Sequence, residues 1–168
     1  ARYAADLVKD EDFVYIDAGT STGGMLKFLQ VTRAVFVTNA VAHAQMLAER
    51  GFKVLLVGGE LKGSTEAVIG NQAMNTLRDY HFTKGFFGTN GITKKSGCTT
   101  PDANEAAVKA AAMEQCRECY VLCDSSKFDK ISFVRFSEFE GISAVVTDKE
   151  PSAEWKDFFK KKNIELYF

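Results

Sequence analysis

Phe13-Val14-Tyr15-Ile16-Asp17-Ala18-Gly19-Thr20-Ser21-Thr22-Gly23-Gly24 decides the fold. The first four residues form an apolar run of strand length, and Met25-Leu26-Lys27-Phe28-Leu29, just beyond, has the spacing of a helix face. A strand, a turn rich in glycine and hydroxyls, and a helix are the parts from which α/β proteins build an anion site. The first amide N–H groups of such a helix are free and its dipole favours negative charge. Gly19, Gly23 and Gly24 let a ligand approach the main chain closely. The same turn also suits a plain N-cap, in which Thr20, Ser21 or Thr22 satisfies one N–H and does nothing more.

The pattern repeats outward from this turn. Arg33-Ala34-Val35-Phe36-Val37-Thr38-Asn39 is a second apolar run with a polar end, residues 40–50 fit a helix that stops at Gly51, and Phe52-Lys53-Val54-Leu55-Leu56-Val57 runs into Gly58-Gly59. Strands alternating with helices predict an α/β fold, a mostly parallel sheet with helices on both faces. Ligands bind at the carboxyl ends of the strands in such sheets, so Asp17, Thr38-Asn39 and Gly58-Gly59 are expected on one rim. Further along, Ala67-Val68-Ile69 and Lys84-Gly85-Phe86-Phe87-Gly88-Thr89 read as strands, with a helix over 71–79 between them. Residues 92–100 read as a loop by composition, after which Pro101 starts a helix with acid in its first turn. Cys119-Tyr120-Val121-Leu122-Cys123, Ala144-Val145-Val146 and the closing Ile164-Glu165-Leu166-Tyr167-Phe168 are further strands, with a helix opened by Pro151-Ser152 before the last.

The bulk numbers narrow the function. The chain has 168 residues, 46% hydrophobic and 26% charged, with a formal net charge of −1. One domain spanning 1–168 is expected, with a sizeable core and no general attraction to polyanions, which argues against nucleic-acid binding by this chain itself. The apolar runs are only strand-length, so neither a membrane span nor a signal peptide is expected. Of the four cysteines, three lie between 116 and 123, and the two histidines, His43 and His81, are far from them. They read as reduced thiols of a cytoplasmic protein, and neither a metal nor a cofactor is expected. The opening Ala1-Arg2-Tyr3-Ala4-Ala5-Asp6 looks like a helix entered partway, which suggests a piece of a longer protein.

The turn at 17–24 lacks the Lys-Ser/Thr of a Walker A loop, and no strand is followed by G-x-G-x-x-G, which leaves a single phosphate as the favoured anion. A helix N-terminus gives an anion about 0.3–1 kcal/mol when exposed, whereas micromolar binding requires about 8 kcal/mol. A cation and directional partners are therefore needed, with Lys127, Asn39, Asp124 and Asn90 the candidates at other strand ends. Glu105 and Lys109 are four apart, a spacing that also suits a surface ion pair. Asp17 either accepts sugar hydroxyls or holds the turn through backbone N–H groups.

Taken in order, Asp17-Ala18-Gly19-Thr20-Ser21-Thr22, Thr38-Asn39, Gly58-Gly59-Glu60-Leu61, Gly88-Thr89-Asn90-Gly91-Ile92, Thr99-Thr100-Pro101 with Glu105 and Lys109, and Asp124-Ser125-Ser126-Lys127-Phe128 resemble the C-terminal effector-sensing domain of the DeoR family of bacterial transcriptional repressors. The resemblance implies a fold similar to that of ribose-phosphate isomerase, glucosamine-phosphate deaminase and the CoA transferases. It implies a sensor that binds a phosphorylated sugar, forms a homo-oligomer, and meets DNA only through an N-terminal winged helix-turn-helix absent from this sequence. Its pocket would be lined by Asp17, Gly19, Thr20, Ser21, Thr22, Asn39, Gly59, Asn90, Gly91, Thr100, Glu105, Lys109 and Lys127, with no catalytic residue. The alternatives are an isomerase-like enzyme, against which Thr89-Asn90-Gly91 replaces that enzyme's Gly-Ala-Asp, and an oligomerisation module that binds no ligand. Residues 92–100 are expected to order over the bound effector.

Overall fold

The computed structural model describes residues 1–31 and 33–168. A short helix α1 (Arg2–Asp6) leads to β1 (Phe13–Ile16), α2 (Thr20–Leu26), β2 (Val35–Thr38), α3 (Val41–Glu49) and β3 (Lys53–Leu56). A hairpin of β4 (Glu60–Lys62) and β5 (Ala67–Ile69) follows, then α4 (Asn71–Arg78) and the long strand β6 (Phe82–Gly88). Next come β7 (Gly91–Thr93), β8 (Gly97–Thr100), α5 (Ala103–Glu114) and β9 (Cys116–Leu122). The chain closes with β10 (Val134–Ser137), β11 (Ala144–Val146), α6 (Ala153–Lys161) and β12 (Glu165–Tyr167).

Seven strands form one sheet in the order β12-β11-β9-β6-β1-β2-β3, and every pairing in it is parallel. Helices cover both faces, so alternate residues of one strand enter different cores. Val14 and Ile16 of β1 pack with Met25, Leu26, Phe36 and Phe86 on the side of α1 and α2. Tyr15, between them, packs with Leu77, Phe87, Val108 and Ala112 on the side of α4 and α5. A third cluster, built on Trp155 and Phe159 of α6 with Ile92, Cys98, Val121 and Phe136, sits beyond β9. Asp12 fastens β1 to its neighbours by accepting from the Lys9 N–H at 2.8 Å, from the Thr83 hydroxyl at 2.8 Å and from Lys84 Nζ at 2.8 Å.

The strand order decides where a ligand can enter. From β1 the chain moves through β2 to β3 toward one edge, whereas β6, β9, β11 and β12 fill the sheet toward the other. The connections at the carboxyl ends of β1 and β6 therefore diverge and leave a crevice between them.

Residues 92–100 differ from expectation. They form the antiparallel pair β7–β8, which joins β10 in a three-stranded sheet, and Cys98, Thr99 and Thr100 are buried. The turn-forming composition of 93–97 belongs to the tip of a short hairpin. Its flanking strands, three and four residues long, show too little alternation to be read from sequence. The α5 helix starts later than Pro101 suggests: Asp102 is the N-cap, its carboxylate accepting from the Glu105 N–H at 2.9 Å. Among the described residues no helix is long and apolar enough to cross a membrane.

Candidate ligand cavity at the sheet switch point

The crevice opens into a cavity of about 600 Å³, within the range of small-molecule sites. Asp17, Ala18, Gly19, Thr20 and Gly23 form one wall, and Asn39, Ala40, Ala42, His43 and Met46 a second. The hairpin tip contributes Lys62, Ser64, Thr65 and Glu66, while Asn90, Thr100, Pro101, Glu105 and Lys109 complete the lining.

Its floor is a buried ion pair. Lys109 and Asp17 are buried, and the Lys109 ammonium bonds the Asp17 carboxylate directly. Lys109 Nζ also donates to the Gly88 carbonyl at 3.0 Å, and the Gly88 N–H donates to Asp17 Oδ2 at 3.1 Å. Burial raises the Asp17 carboxyl above its ordinary range, opposed by the Lys109 charge and by these hydrogen bonds. An Asp17–Lys109 bridge stitches β1 to α5 across β6. The four-residue spacing of Glu105 and Lys109 is thus not a surface ion pair: Lys109 turns to the floor, and Glu105 turns to the hairpin.

That hairpin is latched over the cavity. Lys62 Nζ lies 3.0 Å from Asp102 Oδ2 and 3.5 Å from Glu105 Oε2, and the Thr65 hydroxyl donates to Glu105 Oε1 at 2.7 Å. The hydrogen bond to Asp102 holds the Lys62 ammonium above the usual lysine range.

The turn that opened the sequence is positioned from several sides. Asn39 accepts from the Ala18 N–H at 3.2 Å and donates to the Val68 carbonyl at 3.1 Å, which ties the turn to β5. Thr38 Oγ1 donates to the Ile16 carbonyl at 2.6 Å. Gly19 is the N-cap of α2 and supplies no side-chain acceptor, so the first amide groups of α2 keep their donors for other partners. Thr22 is buried, and its hydroxyl donates to the Asp17 carbonyl at 2.6 Å and the Gly19 carbonyl at 3.1 Å. It holds the turn and does not line the cavity.

Four more sequence-expected residues also lie outside the lining. Ser21 borders a smaller neighbouring cavity with Asp124 and Asp148. Gly59 and Gly91 are needed by the backbone: at Gly59, with φ of 151°, a Cβ would stand 2.8 Å from the Ile69 carbonyl oxygen, and at Gly91 one would stand 2.3 Å from that of Lys130. Lys127 ends a short turn that Asp124 caps, its Nζ 3.6 Å from the Asp124 carboxylate. The structure brings Asp17, Gly19, Thr20, Asn39, Asn90, Thr100, Glu105 and Lys109 together. Among them the Thr100 hydroxyl and Asn90 Oδ1 are 3.1 Å apart. Sequence reasoning missed His43, Lys62 and the tip residues 64–66. The only signal for the tip was the Gly-Ser-Thr turn between two short apolar runs.

The cysteines have structural partners. The Cys116 and Cys119 thiols donate to the carbonyls of Ala112 and Met113, and burial pushes Cys98 and Cys123 up to about 12.

A parallel sheet with a lysine-bearing cavity at its switch point is the arrangement in which α/β domains hold small molecules. The chain belongs to the DeoR family: it matches the DeoR C terminal sensor domain over residues 1–149. It is 40% identical over 151 residues to the uncharacterized HTH-type transcriptional regulator FruR of Bacillus subtilis, covering 89% of this chain and 60% of that protein. It is 32% identical to a lactose phosphotransferase system repressor of Staphylococcus epidermidis, covering 99% of this chain and 65% of that one. The chain thus spans under two thirds of the length of these relatives. Among solved structures, ribose 5-phosphate isomerase A from Methanocaldococcus jannaschii aligns with a TM-score of 0.55 at 13% identity over 76% of this chain and 51% of that one. The delta subunit of eIF2B from Chaetomium thermophilum aligns with a TM-score of 0.56 at 19% identity over 86% and 52%. These two likenesses show a shared fold.

Proposed function

We propose that this chain is the effector-sensing part of a transcriptional repressor and that its cavity takes a phosphorylated sugar as inducer. The observation that carries it is the convergence of the uncapped amide end of α2, the Lys62 ammonium and a set of hydroxyl partners on one cavity of sugar-phosphate size. The phosphate meets the amides of Gly19 and Thr20. Lys62 supplies the cation that the helix end alone lacks, the role expected of Lys127. Asn90, Thr100 and Glu105 meet the sugar hydroxyls, and the Asp17–Lys109 pair fixes the floor.

Binding works through the hairpin. A ligand shifts an equilibrium only by its unequal affinity for two states. Lys62 is shared between Asp102 and Glu105 in the free protein. An entering phosphate competes for it, draws the β4–β5 tip inward and releases Glu105 to accept hydroxyls. The hairpin takes the closing role expected of residues 92–100. DNA contact is assigned to the part of the longer relatives beyond this chain, and self-association is retained as part of the proposal.

The test is a thermal-shift screen of hexose monophosphates against their unphosphorylated parents. A ligand at 100 times its dissociation constant adds about 2.7 kcal/mol, or roughly 5–10 °C for a domain of this size. A shift with free sugars and none with phosphorylated ones defeats the anion site. Chemical conversion of a hit would place the chain with the isomerases, and self-association on sedimentation with no ligand shift would leave only an oligomerisation module.

A further inference from the structure

The seven-stranded sheet ends on β12 at one edge and on β3 at the other. An edge strand carries a row of unpaired N–H and C=O groups, which proteins shield with charges, bulges or covering segments. The other outer strands of this fold are shielded. Tyr3 of α1 lies over Tyr167 of β12 with ring centroids 4.4 Å apart, and Glu165 is exposed at the start of that strand. β10 is irregular between Arg135 and Ser137, and Arg135 is exposed. Ile92 of β7 is bridged by Phe128, and its carbonyl accepts from the Asp129 N–H at 2.8 Å. β4 is three residues long and holds Glu60 and Lys62, while β5 is bridged by Ala40. Among the described residues β3 has no such shield: it runs in unbroken register with β2, no strand lies on its outer side, and its one charge is Lys53 at its start. The bare groups follow a definite pattern. The Val57 N–H donates to the Thr38 carbonyl at 2.9 Å, toward β2. Backbone groups alternate along a strand, so those of Leu55 also face β2, and those of Val54 and Leu56 face outward. Leu55 is 38% and Leu56 46% exposed. Being consecutive, they stand on opposite faces of the sheet, and the edge is apolar on both.

We propose that β3 is a self-association surface, which pairs antiparallel with β3 of a second copy of this chain across a twofold axis at Leu55. In that register Val54 of each copy faces Leu56 of the other, and their outward N–H and C=O groups exchange hydrogen bonds. Leu55 faces the same residue of the second copy, as an isologous contact requires. The central pairs are thus apolar on both faces of the joined sheet. Lys53 falls opposite Val57, away from the second copy's lysine, whereas an in-register parallel pair would set the two ammonium groups side by side. This self-match in backbone pattern, side chains and charge selects a second copy over a foreign strand. The inference rests on the self-association included in the proposed function and gives it a surface. Four residues per copy cover less than the about 800 Å² per partner of a standard interface, so the dimer is weak and forms with rising concentration.

A charge swap tests the axis. Wild type, Leu55→Glu and Leu55→Lys are followed by sedimentation velocity over a concentration series, each alone and the two variants mixed in equal amounts. The wild type is expected to pass from monomer to dimer. Each variant alone brings like charges together at the axis and weakens association about tenfold or more. The mixture sets a carboxylate against an ammonium and recovers association, a rescue that requires residue 55 of one copy to meet residue 55 of the other. Phe133→Ser removes an 85% exposed ring elsewhere on the surface and leaves the dimer unchanged. Melting points check that each variant is folded. Should a charged variant not fold, Leu55→Cys decides: directly opposed residues of such a pair stand about 4.5 Å apart at Cα, and oxidation with diamide joins two copies through that thiol. A dimer that survives both charged variants, a mixture that does not recover, or a Leu55→Cys dimer that does not crosslink overturns the proposal. A wild type that stays monomeric to its solubility limit also defeats the self-association reading, whereas a dimer indifferent to residue 55 defeats this interface alone.

Discussion

The carboxylate of Asp17 and the ammonium of Lys109 support each other, both buried, in the floor of the cavity. Removing one partner of such a pair leaves an uncompensated buried charge, which costs about 3–5 kcal/mol. Lys109→Met is expected to lose that much stability in urea denaturation at pH 7. The pH dependence has a definite sign. Burial raises the folded-state Asp17 carboxyl above its unfolded range, and loss of Lys109 removes the charge that opposes this. Asp17 then takes a proton more readily when folded, so the deficit shrinks as pH falls toward the acid range and is largest at neutral pH. A deficit independent of pH would show that packing, and not charge, is what Lys109 provides. The two residues lie 92 positions apart, and no periodicity links them. Their order among other motifs was legible, but the bond between them was not, because a helical spacing of four reports only local neighbours.

The β4–β5 hairpin is anchored at its tip by side chains, Lys62 to Asp102 and Glu105 and Thr65 to Glu105, and by the Val41 N–H, which donates to the Glu66 carbonyl at 3.1 Å. Partly exposed pairs of this kind contribute only modestly to stability. Lys62→Met should therefore speed hydrogen exchange at residues 63–66 about fivefold in the free protein and reduce the phosphate-dependent part of effector binding. Unchanged exchange would mean that the hairpin is held by its backbone pairing and is no lid. The long strands and helices were legible as elements because their apolar runs exceed a turn or alternate clearly. The short ones were harder. β7 and β8 are held in register by buried Cys98, Thr99 and Thr100 packing under β10, a tertiary cause that composition cannot show. Residues 93–97 carry turn chemistry whether they tip a hairpin or wander as a loop, and sequence alone does not separate the two.

At the scale of the whole molecule, the cavity is assembled from 17–23, 39–46, 62–66 and 90–109, which meet only because strand order reverses between β1 and β6. The expectation of a ligand rim at the carboxyl ends followed from alternating strands and helices. Which strand ends face each other depends on sheet order, and Gly59 and Lys127 were misplaced for that reason. A bound effector should slow hydrogen exchange in all four segments together and leave α6 and β12 unchanged. Protection confined to 17–23 would point to simple anion binding at one helix end. The chain's single tryptophan sharpens the experiment. Trp155 stacks among Phe128, Phe139, Phe158 and Phe159, with Lys94 of the β7–β8 turn over its ring at 5.3 Å. Its fluorescence is thus an intrinsic optical gauge of the far cluster, uncontaminated by other indoles. It times global unfolding while staying dark to events in the cavity, and any change in its emission on effector addition traces a signal that has crossed the β7–β8 hairpin.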